Sequence, residues 1–167
     1  MLKYVDTMVT FSEVPDEVTL CVNISNCQNH CKGCHSPYLL KNIGSLLDFK
    51  AIDGLIKEND GITCFCFMGE GKGLTDILHL AGYIRNEYGL KTALYSGRED
   101  VPEDAVWHIL DYVKIGPYME EFGPLNKETT NQRLYERVSN SEEEVEINEK
   151  KRKHWKDITY KFWKNQA

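Results

Sequence analysis

Between Val18 and Pro117, short apolar runs alternate with longer segments whose apolar residues recur at helical spacing. "VTFSEV" and "EVTLCVNI" flank Pro15-Asp16 and predict a hairpin-like pair of strands. Asp48 is placed to cap a helix that presents Ile52, Leu55 and Ile56 on one face. "ITCFCFM" is an apolar run suited to a strand buried on both sides. After the loop Gly69-Glu70-Gly71-Lys72-Gly73, residues Ile77, Leu78, Ala81, Ile84 and Tyr88 keep a helical period. "KTALYSG" predicts a strand, "PEDAVWHI" a short helix and "YVKIG" another strand ended by Pro117. This order predicts an α/β fold with a mostly parallel sheet, crossover helices outside and chemistry at the strand C-termini. A closed eight-unit barrel takes ~250 residues. A chain of 167 residues therefore points to an open, partial (β/α) barrel forming a single domain, 1–167.

The tail reads differently. "SEEEVEINEKKRKH" runs acidic then basic, and residues 139–154 are expected to be a charged surface linker or helix. "DITYKFW" alternates like a strand and is expected to pair with "QRLYERV" in a small C-terminal β extension. The net charge of −6 argues against a surface built to neutralise nucleic-acid phosphates. Met1 to Asp6 lacks a charged-then-apolar signal pattern, and no apolar run approaches the ~20 residues that span a bilayer. The expectation is a soluble cytoplasmic protein with neither nucleic acid nor membrane as partner.

The chain has six cysteines. Cys64 and Cys66 lie two apart in a strand, share a face and read, with Cys21, as core. Cys27, Cys31 and Cys34 sit in "CQNHCKGCHSP", a polar loop directly after a predicted strand. In a cytosolic chain such clustering points to metal or redox chemistry. A structural zinc would add His30 or His35 as fourth ligand, yet no second ligand pair follows across a longer gap. A redox dithiol of Cys31 and Cys34 would leave Cys27 idle. A 4Fe-4S cluster uses all three thiolates and leaves one iron open for a small molecule. Gly33 permits the tight turn and the close approach.

With these residues in view, Cys27-x3-Cys31-x2-Cys34 after the first core strand resembles the signature of the radical S-adenosylmethionine superfamily. "VTFSEVPDEVTL", "ISNCQNHCKGCHSPYL", "TALYSG", "VKIGPY", "TTNQRLYE" and "DITYKFW" narrow the resemblance to the activating proteins of anaerobic ribonucleoside-triphosphate reductase, which are glycyl-radical activating enzymes. The resemblance implies that the open iron chelates S-adenosylmethionine. It also implies reductive cleavage to methionine and a 5′-deoxyadenosyl radical. That radical would generate a glycyl radical on the large reductase subunit, with electrons from a donor such as reduced flavodoxin. The superfamily usually carries Gly-Gly and an acidic residue after the second core strand; this chain has Met68-Gly69-Glu70-Gly71.

Roles follow from the resemblance. Cys27, Cys31 and Cys34 would hold the iron. Gly33, Cys34 and His35 would lie near the adenine, and Gly69 and Glu70 near the methionine ammonium. Ser96 and Lys114 close other strands on the same rim and are further candidates; the plain alternative for Lys114 is a solvated lysine. Asn131, Gln132 and Arg133 match the family's tail, or form a capped turn between Thr130 and Leu134. Two rivals remain. One is the activase of another glycyl-radical enzyme, such as pyruvate formate-lyase. The other is a non-catalytic zinc-binding interaction module.

Overall fold

The computed structural model describes residues 1–29 and 36–163. Strands β1 (Lys3–Thr10) and β2 (Thr19–Ile24) form an antiparallel pair with Met8 opposite Cys21. A two-residue strand β3 (Ser45–Leu46) lies against the start of β1. Then come α1 (Phe49–Glu58), β4 (Cys64–Met68), α2 (Thr75–Tyr88), β5 (Lys91–Tyr95), α3 (Asp104–Ile109) and β6 (Tyr112–Ile115). The chain ends in β7 (Arg133–Arg137), β8 (Glu144–Ile147), β9 (Lys150–Lys153) and β10 (Trp155–Asp157).

Eight strands make one sheet in the order β10-β7-β6-β5-β4-β2-β1-β3. The central four, β2, β4, β5 and β6, are parallel, and the flanking strands are antiparallel to their neighbours. This is a mixed α/β architecture whose sheet is open, with β3 and β10 at its edges. Among the described residues no helix is long and apolar enough to cross a membrane.

Each helix starts and packs for local reasons. Asp48 Oδ1 accepts the Ala51 amide at 2.9 Å, a cap worth about 1 kcal/mol. Ile52 and Leu55 of α1 are buried, as are Ile77, Leu80, Ala81 and Ile84 of α2. The Gly89 N–H bonds to Arg85 O at 3.1 Å and ends α2. These helix residues join Leu20, Val22, Phe65, Phe67, Leu94 and Val113 in the larger core, so the helices cover one face of the sheet.

The second face carries Cys21, Cys64, Cys66, Ala93, Tyr95, Tyr112 and Leu134, capped by Val14 and Ile158. Alternation along each strand separates the two sets. Burial pushes the Cys64 and Cys66 thiols well above their ordinary range. They stay protonated at neutral pH and pack as small apolar groups.

The tail departs from expectation. Within 139–154 the chain forms a separate antiparallel hairpin, β8–β9, rather than a linker or helix. Glu144 faces Lys153 and Glu146 faces Lys151, so the acidic-then-basic run is a set of opposite charges across two strands. "QRLYERV" supplies β7 as expected, and its partner β10 is Trp155–Asp157. Most of "DITYKFW" instead forms a 3-10 turn over Thr159–Phe162, because the Asp157 carboxylate accepts both the amide and the hydroxyl of Thr159, at 2.9 and 2.6 Å. Both β7 and β10 belong to the main sheet, not to a small separate one.

Candidate functional site

A cavity of about 490 Å³ opens at the C-terminal ends of the four parallel strands. Its size suits a small organic ligand. Asn23, Met68, Tyr95 and Lys114, from β2, β4, β5 and β6, contribute to its lining at the strand ends. The loops that leave those strands supply Cys27, Glu70 and Ser96.

The loop after β2 is pinched at its base. Asn26 N–H bonds to Lys41 O at 3.0 Å and Cys27 N–H to Leu39 O at 2.9 Å. The Ser25 hydroxyl donates to Ile43 O at 2.6 Å. These bonds fix Cys27 on the cavity wall, where its Sγ reaches Asn29 O at 3.4 Å. Cys31, Gly33, Cys34 and His35 lie outside the described residues, as does His30.

After β4 the backbone turns through Gly69 and Gly71, at φ +116° and +62°. L side chains rarely adopt these conformations, so glycine on both sides of Glu70 is a backbone requirement. Ile24 O lies 3.5 Å from a Cβ built at Gly69, and the Leu2 side chain 3.1 Å from one built at Gly71. The turn carries the Glu70 carboxylate into a set of donors. Ser96 Oγ donates to Glu70 Oε2. Arg98 engages the carboxylate side-on, Nε to Oε2 at 3.2 Å and Nη2 to Oε1 at 3.1 Å. The same guanidinium grips Glu103 through Nη1 and Nη2, both at 3.2 Å. Burial alone would pull Arg98 down, but the bonds to Glu103 and the Glu70 charge outweigh it and hold the guanidinium above its ordinary value. Burial alone would raise Glu103; the Arg98 bonds overcome it and keep that carboxyl below its usual range. Both groups are charged at neutral pH.

Lys114 is buried, not a solvated lysine. Its Nζ donates to Gly116 O at 2.8 Å and Ser96 O at 3.2 Å, and lies 5.8 Å from the Tyr95 ring centroid. Carbonyl dipoles and an aromatic face offset the cost of burying the ammonium. Tyr95 donates its hydroxyl to Glu13 O, and burial raises it well above the ordinary tyrosine range, so it stays neutral.

Of the tail residues, Gln132 lines the cavity, while Asn131 Nδ2 bonds to Pro117 O at 2.9 Å. Thr130 Oγ1 accepts the Gln132 amide at 3.0 Å, so the capped turn exists and also sets the entry to β7. Arg133 faces Asp157 at 3.7 Å and the Trp163 ring at 5.8 Å. The structure thus brings Cys27, Gly69, Glu70, Ser96 and Lys114 to one cavity.

Sequence reasoning missed Arg98 and Glu103. The available signal was charge: an arginine two residues beyond Ser96, and an acidic residue in the first turn of a predicted helix.

Comparison with models of protein families, with curated proteins and with solved structures returned no match.

Proposed function

We propose that the chain is a radical S-adenosylmethionine enzyme that activates anaerobic ribonucleoside-triphosphate reductase by generating a glycyl radical on its large subunit. In this reading the open sheet is a partial (β/α) barrel whose mouth is the reaction site. The observation that carries the reading is the convergence of Cys27, Glu70, Ser96 and Lys114 on one cavity at the ends of parallel strands.

The donor set fits the groups proposed. A thiol on a pinched loop suits iron, a carboxylate suits an ammonium, and the volume suits S-adenosylmethionine. A 4Fe-4S cluster bound there would supply one electron for cleaving S-adenosylmethionine to methionine and a 5′-deoxyadenosyl radical. Cys27, with Cys31 and Cys34, would hold the iron. Glu70 accepts the methionine ammonium, fixed for that contact by Ser96 and Arg98. Lys114 holds the β5 and β6 ends together through the Ser96 and Gly116 carbonyls. Met68 and Tyr95 contribute apolar surface that keeps water from the reacting carbon. The mouth is sealed during turnover by the glycine-bearing segment of the partner, and an outside donor such as reduced flavodoxin supplies the electron.

The test is anaerobic. Protein purified under nitrogen should be brown and contain iron and sulfide. With S-adenosylmethionine, a reductant and the reductase it should yield the paramagnetic doublet of a glycyl radical. Cys27→Ala should retain its circular dichroism and release no methionine. Colourless protein holding one zinc, or methionine release undiminished in Cys27→Ala, overturns the proposal. A doublet that forms only with a different glycyl-radical enzyme reassigns the partner.

A further inference from the structure

Glu103 stands just before α3, the usual place for a capping side chain, yet it makes no cap bond to that helix. Both its oxygens instead face Arg98. Arg98 is already engaged side-on by Glu70, so one guanidinium serves two carboxylates. Side-on and end-on pairing use the Nε, Nη1 and Nη2 donors and fix the geometry of the planar fork.

The charges explain why the second carboxylate is there. Around the cavity wall, Glu70 provides one negative charge, while Arg98 and Lys114 provide two positive ones. Lys72, on the exposed part of the loop after β4, adds another positive charge at the rim. A ligand presenting a cationic end to Glu70 would meet a net positive wall. Glu103, at the edge of the same cavity, lowers that positive excess from two charges to one without needing to touch the ligand.

We propose that Glu103 is a specificity-determining residue, which by engaging Arg98 leaves the charge of Glu70 available to the cationic end of a ligand. The inference rests on the reading above, in which that ligand is S-adenosylmethionine, carrying an ammonium and a sulfonium. Arg98 is the positioning residue between the two carboxylates. Removing the Glu103 charge leaves Arg98 to neutralise Glu70 alone.

The experiment is anaerobic calorimetric titration of cluster-reconstituted protein with S-adenosylmethionine at several salt concentrations, in wild type, Glu103→Gln and Glu103→Asp. The Glu103 side chain is 45% exposed, so both variants should fold, which melting curves check. At low salt Glu103→Gln should weaken binding about fivefold, the scale of one unit charge acting across several ångströms of partly screened protein. The gap should close as salt rises and the screening length falls below about 10 Å. Glu103→Asp keeps the charge and should stay close to wild type at every salt concentration.

An unchanged affinity in Glu103→Gln overturns the inference. So does a loss of the same size at all salt concentrations, which marks a structural role at the start of α3. An equal loss in Glu103→Asp overturns it too, since shape rather than charge would then matter. Wild-type protein that binds no S-adenosylmethionine overturns the functional reading, and the inference with it; wild-type binding with any of the other three outcomes overturns the inference alone.

Discussion

A Cβ built at Gly97 would come within 2.5 Å of Asn29 Nδ2 and 3.0 Å of Asn29 Cγ. The loop after β5 therefore touches the arm that carries Cys27, whose Sγ bonds to the Asn29 carbonyl. Gly97→Ala should push on the end of a side chain that can yield. We expect a stability loss below about 1 kcal/mol in urea denaturation, as for most changes near a surface. On the function proposed above, the larger effect should be on the cysteine arm, read as less iron per chain after anaerobic reconstitution. Wild-type iron content in Gly97→Ala would show that Asn29 moves aside without disturbing Cys27. At this scale the sequence pointed to Cys27 and Glu70, which the structure brings to one cavity. Thiols in a polar loop and a carboxylate between glycines are unusual enough to find. Arg98 and Glu103 were not found, because an arginine and a glutamate five apart across a loop look like ordinary solvated charges. Only the fold shows that Glu70 joins them.

The elements of the parallel core were legible because each one's period and its boundary agree. Asp48 caps where the apolar helical period begins, and Gly89 stops the next helix where it ends. The β8–β9 hairpin was hidden by its charges. Val145 and Ile147 give too short an alternation to outweigh a run of glutamates, and the turn uses Asn148 and Glu149 at φ +49° and +68° instead of a glycine. Ile147 packs into the larger core, and Asp104, at the start of α3, adds a polar anchor for the hairpin. Its Oδ1 accepts Lys150 Nζ at 2.6 Å and Arg152 Nη1 at 2.7 Å. Arg152 also lies 5.0 Å from the Trp107 ring centroid. Hydrogen bonds from Lys150 and Arg152 lower the Asp104 carboxyl to about 2. A carboxyl lower in the folded than the unfolded state stabilises the fold above about pH 4 and loses that contribution as pH falls toward 2. Acidification over that window should speed amide exchange in β8 and β9 before the main sheet responds. Asp104→Asn should show the faster exchange at neutral pH and respond less to acid there. Equal hairpin protection in the two proteins at neutral pH would show that Asp104 does not anchor it.

Across the whole molecule, helices cover one face of the sheet, while the β1–β2 turn and the segment after β10 cover the other. Val14, from the turn between β1 and β2, and Ile158, just after β10, are both buried against the second face. Lys161 Nζ reaches Asp16 at 2.9 Å and joins the two segments. Thr159 Oγ1 accepts the Leu134 amide at 2.8 Å, and Trp163 Nε1 donates to Leu125 O at 3.0 Å, so the closing turn is also fastened to β7 and to the loop before it. An open sheet has to cover this apolar face some other way, and here the covering comes from residues distant in sequence. That explains why neither role shows in a local pattern: Val14 sits in a turn between strands and Ile158 at a strand's end, and only the folded chain sets both on the same face. Ile158 is 1% exposed, so truncating it leaves a cavity between the closing turn and the sheet. Ile158→Ala should cost about 2–5 kcal/mol by the measured range for buried isoleucine-to-alanine changes. Urea denaturation would report this as a lower midpoint at an unchanged slope. Lys161→Met, which removes the exposed ion pair and keeps the stem, should cost less than about 1 kcal/mol. If the two variants lost similar amounts, the two segments would be joined by charge at the surface and not by burial against the second face.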